Sequence, residues 1–186
     1  MSVEPIEQRK LTLAEFDALP DDGERRELLD GGVLVTPSPP AIHQRAAYQF
    51  AIRLQPVCPE AFEVFFAPFD YRPDDRTSLQ PDLLVCRAED VEADGIRRAL
   101  LLAVEILSPS TRAKDLLKKR RLYEAGGVGS YWIFEPEEAV LTVLEVENGR
   151  YVEETYQGDE VFEARRPFPV RVVPAELVRR ANRSAV

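Results

Sequence analysis

Leu100–Leu107 is the stretch of this sequence that most restricts its fold, because it is a nearly continuous apolar run with one charged residue inside it. Such a run is typical of a strand that is buried on both faces of a sheet. The exception is Glu105, close to the end of the run. Since an unpaired buried carboxylate is costly, we expect a cation, a hydrogen-bond donor or a metal ion beside it.

A second acidic residue, Asp82, opens another apolar strand, Leu83–Cys86. Asp94-Gly95, between the two runs, is a turn signal, and the midpoint of positions 82 and 105 falls at the same place. An antiparallel pair centred there makes Asp82 and Glu105 face each other at one end of the sheet. Carboxylate oxygens arranged in this way suit Mg²⁺ or Mn²⁺. The alternative is two independent carboxylates at strand ends.

The helix predicted over Arg112–Ala125 adds a third candidate group. At about 100° per residue, Lys119 projects between Leu116 and Leu122, on the side expected to face the sheet. A compact ammonium group at this position can orient a water molecule or stabilise a negatively charged oxygen. The alternative is an ordinary pair between Lys119 and Asp115 along the helix.

The whole pattern predicts a single α+β domain over residues 11–186, preceded by a flexible N-terminus over residues 1–10. Helical periodicity and capping residues predict the helices, and apolar or alternating runs between turn residues predict the strands. The predicted helices are Thr12–Leu19, Ala41–Gln55, Arg112–Ala125 and one after Pro174. The predicted strands are Arg26–Asp30, Val33–Thr36, Phe62–Ala67, Phe69–Arg72, Asp82–Arg87, Leu100–Leu107, Ser130–Glu135, Leu141–Glu147 and Tyr151–Tyr156. Tight hairpin turns are expected at Gly31-Gly32 and Asn148-Gly149.

The charge balance argues against a protein that coats duplex DNA. Lysine and arginine number 24 and aspartate and glutamate 33, which gives a net charge of −9 with histidine neutral. A non-specific duplex binder needs a basic surface, so contact with phosphates must come from a local patch. Arg97-Arg98 and the arginines between Arg112 and Arg121 are candidates for that patch, or else form a solvated face.

Cysteine and histidine usage restricts the kind of site. Cys58 and Cys86 have no spacing typical of a metal site or a redox motif, which suits a reduced, cytoplasmic protein. No secretion signal or membrane-spanning run is visible. His43 is the single histidine, so a histidine-rich zinc site is excluded. Its position near a helix start favours a surface or capping role over a functional one.

The order of these elements resembles the αβββαβ core of the restriction-endonuclease-like PD-(D/E)XK nucleases, over about residues 41–135. Pro81-Asp82 is similar to the PD element, and Glu105-Ile106-Leu107 to the (D/E)XK element with leucine in place of lysine. More closely, residues 11–145 resemble the Uma-type restriction endonuclease family. The segments that carry this resemblance are Glu27–Gly31, Ser38–Pro40 with His43-Gln44, Pro81–Val85, Val104–Thr111, Asp115–Tyr123, Ala125–Val128 and Tyr131-Trp132.

The resemblance implies a Mg²⁺- or Mn²⁺-dependent endonuclease that hydrolyses phosphodiester bonds of DNA. It implies that Asp82, Glu105 and the Ile106 carbonyl hold the metal, and that Lys119 replaces the lysine missing at Leu107. The central sheet is expected to be mixed and flanked by helices, with hairpins added at both ends of the core.

Many members of the resembled family have a glutamate at the position of Gly32 in the N-terminal hairpin. Because this chain has glycine there, Glu27 is the remaining acidic candidate of that hairpin for a role in the site. The alternative for Glu27 is a solvated strand residue, which is the more common environment of a glutamate. A homodimer is expected, because a double-strand cut needs two sites and the hairpin edges remain open for pairing. The alternative function is a binding or structural dimerisation module that keeps the nuclease fold with little or no catalysis.

Overall fold

The computed structural model describes residues 9–108 and 114–179; for Lys114 and Asp115 it describes the backbone only. The helices are α1 (Leu13–Asp17), α2 (Ala41–Leu54), α3 (Lys114–Ala125) and α4 (Pro174–Val178). The strands are β1 (Arg25–Leu29), β2 (Gly32–Thr36), β3 (Phe62–Phe66), β4 (Tyr71–Asp74), β5 (Thr77–Leu79), β6 (Leu83–Arg87), β7 (Val91–Glu92), β8 (Gly95–Ile96), β9 (Leu102–Ile106), β10 (Ser130–Glu135), β11 (Val140–Glu147), β12 (Arg150–Gln157), β13 (Phe162–Ala164) and β14 (Val170–Val172). Most of the predicted N-terminal segment 1–10, and residues 109–113, lie outside the described residues.

The central sheet contains the predicted core. Its six strands lie in the order β12-β11-β10-β9-β6-β3. Strands β9 and β10 are parallel and their neighbours are antiparallel, so the sheet is mixed. With α2 before β3 and α3 between β9 and β10, the chain order is αβββαβ, as predicted. The C-terminal hairpin β11–β12 extends this sheet.

A second six-stranded sheet, in the order β2-β1-β5-β4-β8-β7, was not expected as a unit. The N-terminal hairpin β1–β2 belongs to it, together with β5, β7 and β8, which are too short for a clear pattern in the sequence. Its strand β1 pairs with β5 through Leu28 and Ser78. This pairing brings the N-terminal hairpin next to the chain that enters β6.

The two faces of the central sheet pack against different layers because side chains alternate along each strand. Leu83, Val85, Leu102 and Val104 pack on one face with α2 and the C-terminal β13–β14 hairpin. Leu84, Cys86 and Ala103 pack on the other face with Tyr123 of α3 and with the second sheet. The strands around Glu105 are therefore buried on both faces, as the apolar run predicted.

The turn between β7 and β8 explains the register of β6 and β9. Val91 pairs with Ile96 and Glu92 with Gly95, so a tight turn is present as predicted, but its two central residues are Ala93-Asp94 and Gly95 is the first residue of β8. Gly95 has a φ of +134°, and a Cβ there would lie 2.4 Å from the Asp70 carbonyl oxygen. Only glycine fits this position without a shift of the backbone.

Several predicted boundaries were displaced. The N-terminal hairpin turns at Asp30-Gly31, both with positive φ, instead of at Gly31-Gly32, because this two-residue turn matches the strand twist. The strand predicted from Phe69 begins at Tyr71, and Phe69 lies before it with its ring stacked on Phe65 at a centroid distance of 4.4 Å. The turn at Asn148-Gly149 is as predicted. Among the described residues, the structure contains no helix that is long and apolar enough to cross a membrane.

Candidate active site

A cavity of about 220 Å³ lies at the end of β6 and β9. Residues from seven parts of the chain line it: β1, β2, the segment between β2 and α2, α2, the residue before β6, the end of β9 and α3. The charged and imidazole side chains among them are Arg25, Glu27, His43, Asp82, Glu105 and Lys119. The structure thus brings together all four side chains that the sequence singled out, and adds two.

Asp82 lies directly before β6 and is 6% exposed. The pairing of Leu83 with Val104, continued by one residue, places Asp82 opposite Glu105, as expected. Its Oδ2 atom is 3.1 Å from His43 Nε2 and accepts a hydrogen bond of 2.8 Å from the Ile106 N–H. Arg25 lies 3.5 Å from the other oxygen, Oδ1.

These contacts decide the ionisation of Asp82. Burial acts to raise the pKa of the carboxyl group. The hydrogen bond and charge of His43, the Ile106 N–H and the Arg25 guanidinium outweigh burial, so the pKa of Asp82 is lowered. Asp82 is therefore held as a carboxylate, the form that a metal ion requires.

Glu105 lies in β9 and is 7% exposed. Its Oε1 atom accepts hydrogen bonds from Lys119 Nζ at 2.9 Å and from the Tyr123 hydroxyl at 2.7 Å. Burial raises the pKa of Glu105 to about 7, and the charges of Glu27 and Asp82 act in the same direction against that of Lys119. The cation expected beside Glu105 is thus the ammonium group of Lys119.

Lys119 is held between two carboxylates. Its Nζ atom is 2.9 Å from Glu27 Oε2 and 2.9 Å from Glu105 Oε1. Burial acts to lower the pKa of the ammonium group, but the two carboxylates outweigh it, so the pKa of Lys119 is raised and the group remains charged. The prediction that Lys119 faces inward is correct, since it lies one turn from Tyr123 on the same helix face.

The partner of Lys119 differs in part from the expected one. The ammonium group was expected to reach the Asp82–Glu105 pair, whereas the carboxylates that it contacts are Glu105 and Glu27. Asp82 turns instead toward His43 on α2. The side chain of Asp115, the alternative partner, lies outside the described part of the chain.

Glu27 is buried, so the alternative that it is a solvated strand residue is wrong. The side chain is 1% exposed in β1. Its Oε1 atom accepts a hydrogen bond of 2.7 Å from the Gln80 N–H, and its Oε2 atom contacts Lys119. The pairing of β1 with β5 places Glu27 beside this segment, so the second sheet positions one side of the site.

Three residues of the site were missed or given other roles. His43 is 7% exposed and contacts Asp82, so it is not a surface residue. Arg25 is held at the cavity by its Nε, which donates to Gln80 Oε1 at 3.1 Å. Tyr123, which donates a hydrogen bond to Glu105, had been named only as the end of a segment that carries the family resemblance. The signals that existed were the status of His43 as the single histidine and the presence of His43 and Tyr123 in the resembling segments.

Two of the arginines considered for a phosphate-binding patch are paired with carboxylates of the same chain. Arg97 contacts Glu92 and Asp94, and Arg120 contacts Glu153. Arg112 and most of the Ser108–Thr111 segment lie outside the described residues.

The donor set suits a hard cation with few protein ligands. Asp82, Glu105 and the Ile106 residue line one cavity, and all three offer oxygen. Within residues 9–108 and 114–179, no group of three or more histidine, cysteine, aspartate or glutamate side chains is arranged to hold a metal ion. Mg²⁺ is commonly bound by one or two carboxylates together with water and substrate phosphate, so such a small set is sufficient.

The chain is similar to known proteins in its fold and matches one sequence family. A solved structure from Anabaena variabilis, described as "a putative nuclease belonging to DUF820", superposes with a TM-score of 0.73 at 20% identity, over 90% of this chain and 97% of that one. This likeness confirms the fold. No curated protein matches the sequence significantly. The model of the family Uma2, described as "Putative restriction endonuclease", matches residues 13–176. The chain therefore belongs to the Uma2 family of restriction-endonuclease-like proteins.

Proposed function

We propose that this protein is a Mg²⁺- or Mn²⁺-dependent endonuclease that hydrolyses phosphodiester bonds of DNA. The observation that carries the proposal is the position of the Lys119 ammonium group, 2.9 Å from Glu105 in a cavity that Asp82 also lines. Two carboxylates with a nearby lysine are the groups that this hydrolysis needs. The family description, and the fold shared with a structure described as "a putative nuclease", support the same reaction class.

Asp82, Glu105 and the Ile106 carbonyl would hold one or two cations. The Asp82 carboxylate is kept ionised and oriented by the Ile106 N–H and His43, which leaves its Oδ1 side toward Arg25 and the cavity. When bound, a divalent cation supplies the positive charge that activates water and neutralises charge on the phosphate. Asp82 and Glu105 would thus provide carboxylate oxygens from the adjacent strands β6 and β9.

Lys119 would position the attacking water or stabilise the charge that develops on the phosphate oxygens. In the step itself, the water loses a proton to the solvent as its oxygen bonds to phosphorus, the ester P–O bond breaks, and the leaving oxygen takes a proton from the solvent. An ammonium group fixed in a water-poor cavity stabilises such charge better than one in bulk water. Glu27 holds the ammonium group in place, which makes Glu27 a positioning residue rather than a metal ligand.

The alternative function is a nuclease fold with little or no catalysis that serves as a binding or dimerisation module. One observation favours it: Glu105 Oε1 is already bonded by Lys119 and Tyr123, both of which compete with a metal ion for this oxygen. The net charge of −9 acts in the same direction, because it disfavours duplex DNA. Weak or absent metal binding near neutral pH would favour this module.

The test is hydrolysis of labelled DNA in Mg²⁺, combined with calorimetric titration of Mn²⁺. We expect the wild type to bind the ion and cleave, Glu105→Gln to do neither, and Glu137→Gln, at an exposed turn position, to behave as wild type. A wild type that binds no metal ion and cleaves neither duplex nor single-stranded DNA would contradict the proposal.

The proposed homodimer and cytoplasmic location stay predictions. Strand β2 offers one open edge for pairing, because it is the terminal strand of its sheet and exposes Val33 and Val35. Sedimentation at several concentrations measures whether two copies associate.

A further inference from the structure

A second and larger cavity, of about 720 Å³, lies beside the candidate active site. We name it the α2 groove; its lining includes Arg25, His43, Gln44, Tyr48, Phe66 and Asp82. It shares Arg25, His43 and Asp82 with the smaller cavity. A ligand that has a phosphate at Asp82 and Glu105 can therefore extend directly into the α2 groove.

Two aromatic rings are exposed along the α2 groove. Tyr48 is 60% exposed on α2, and Phe66 is 61% exposed at the end of the edge strand β3. The lining of the α2 groove also includes small residues, among them Ala47 and Ala51 on the same face of α2 and Ala67 after β3. Exposed aromatic side chains in a groove that is also lined by small residues leave room for a flat group.

The volume and chemistry of the α2 groove suit one nucleotide base. Ligand sites for small groups occupy about 300–1,000 Å³ and combine apolar walls with a few polar groups. Bases stack on aromatic rings whatever their sequence, because each base has a flat π-face. Gln44, exposed on α2, offers both a donor and an acceptor for the edge of a base.

The charges at the α2 groove favour an unpaired strand over a continuous duplex. Arg25 is at the junction of the two cavities, where a phosphate would enter. Asp21 and Glu24 also line the α2 groove, together with Arg26, which is paired with Asp22, and the whole chain carries a charge of −9. A duplex brings the phosphates of two backbones close to such an acidic surface. A single strand brings only one backbone, whose phosphate next to the site can be neutralised by Arg25 alone.

We propose that the α2 groove binds an unpaired base next to the scissile phosphate, so that the substrate is single-stranded or locally unpaired DNA. This inference rests on the proposed nuclease function and narrows its substrate class. Tyr48 and Phe66 supply the stacking surfaces, and Arg25 guides the connecting phosphate.

The test measures binding without turnover, by fluorescence anisotropy in EDTA. The probes are a short fluorescein-labelled oligothymidylate and a blunt duplex of the same length. We expect the wild type to bind the single strand more tightly than the duplex. Tyr48→Ala and Phe66→Ala should each weaken single-strand binding by roughly tenfold, since loss of one stacked base costs about 5- to 150-fold. Both side chains are exposed, so circular dichroism should show an intact fold.

Two further variants separate stacking from general effects. Tyr48→Phe keeps the ring and should bind as wild type. Ile52→Ala removes another exposed apolar side chain of α2 that does not line the α2 groove, and should also bind as wild type. Equal binding by the wild type and both alanine variants, tighter binding of the duplex, or no binding of DNA would overturn the inference. A concentration-dependent dimer that Tyr48→Ala abolishes would also overturn it, because a second copy would then occupy the α2 groove.

Failure of this inference and failure of the proposed function give different results. If the wild type cleaves DNA in Mg²⁺ while Tyr48→Ala and Phe66→Ala bind single strands normally, only the base-binding site is wrong. If single strands bind with the expected pattern but no variant or wild type cleaves them, the base-binding site stands and the hydrolytic function is wrong.

Discussion

Lys119 Nζ lies 2.9 Å from Glu105 Oε1, although the two residues are 14 positions apart and belong to different elements. The same ammonium group contacts Glu27 from the second sheet. One buried cation therefore joins β9, α3 and β1. Because each partner of this cluster is nearly inaccessible to water, its charges act both on stability and on the chemistry proposed for the site.

Replacing Lys119 by methionine should destabilise the protein by about 3–5 kcal/mol, because two buried carboxylates lose their cation. Urea unfolding measures this change. The matched control is Lys118→Met, since Lys118 is exposed on the same helix. The double variant Lys119→Met/Glu27→Gln should regain part of the stability but no cleavage. A Lys119→Met protein as stable as the wild type would contradict this interpretation of the cluster.

Stability should fall as pH rises from about 4.5 to about 7. Burial raises the pKa of Glu105 to about 7 from an ordinary value of 4.5, so the folded protein binds more protons than the unfolded chain in this window. The protonated Glu105 side chain stabilises the fold fully below the pKa of the unfolded chain, and this stabilisation is lost as pH rises through the pKa of the folded protein. It amounts to about 3 kcal/mol at most. Urea unfolding at several pH values measures it.

Two glutamine variants test whether Glu105 causes this fall in stability with pH. In Glu105→Gln the fall in stability over that window should disappear, whereas Glu137→Gln should retain it. The same slope in Glu105→Gln as in the wild type would assign the titration to another group.

Replacing Asp82 by asparagine should lower DNA hydrolysis by about 10²–10³-fold, because the site loses one fixed negative charge and a metal ligand. Asparagine retains the size and an oxygen that can accept from the Ile106 N–H, so the fold should persist. Initial rates in Mg²⁺ measure the effect, with the exposed Asp75→Asn as control. Hydrolysis within a few-fold of the wild-type rate would remove Asp82 from the site.

His43→Gln should raise the Mg²⁺ concentration needed for half-maximal hydrolysis by about 10–100-fold, because His43 orients the Asp82 carboxylate through Nε2. The rate at saturating Mg²⁺ should change much less. Rates measured across a Mg²⁺ series separate these two quantities. A lower melting temperature with an unchanged Mg²⁺ dependence would show that His43 serves the fold alone.

The sequence by itself determined the core order and the register of its central pair. The apolar run Leu100–Leu107 and the turn signal at Asp94-Gly95, one residue from the observed turn at Ala93-Asp94, placed Asp82 opposite Glu105, because side-chain alternation and turn conformation are local properties. Helical periodicity likewise placed Lys119 toward the sheet. These features follow from residues close together in the chain.

Only the tertiary structure decided which charged groups meet. The pairing of β1 with β5 through Leu28 and Ser78 brings Glu27 to Lys119, and no local pattern predicts that pairing because β5 is three residues long. His43 and Asp82 are 39 positions apart and meet because α2 packs across β6. Partners of this kind are selected by the packing of whole layers, which depends on surfaces assembled from distant segments and not on the spacing of residues within one.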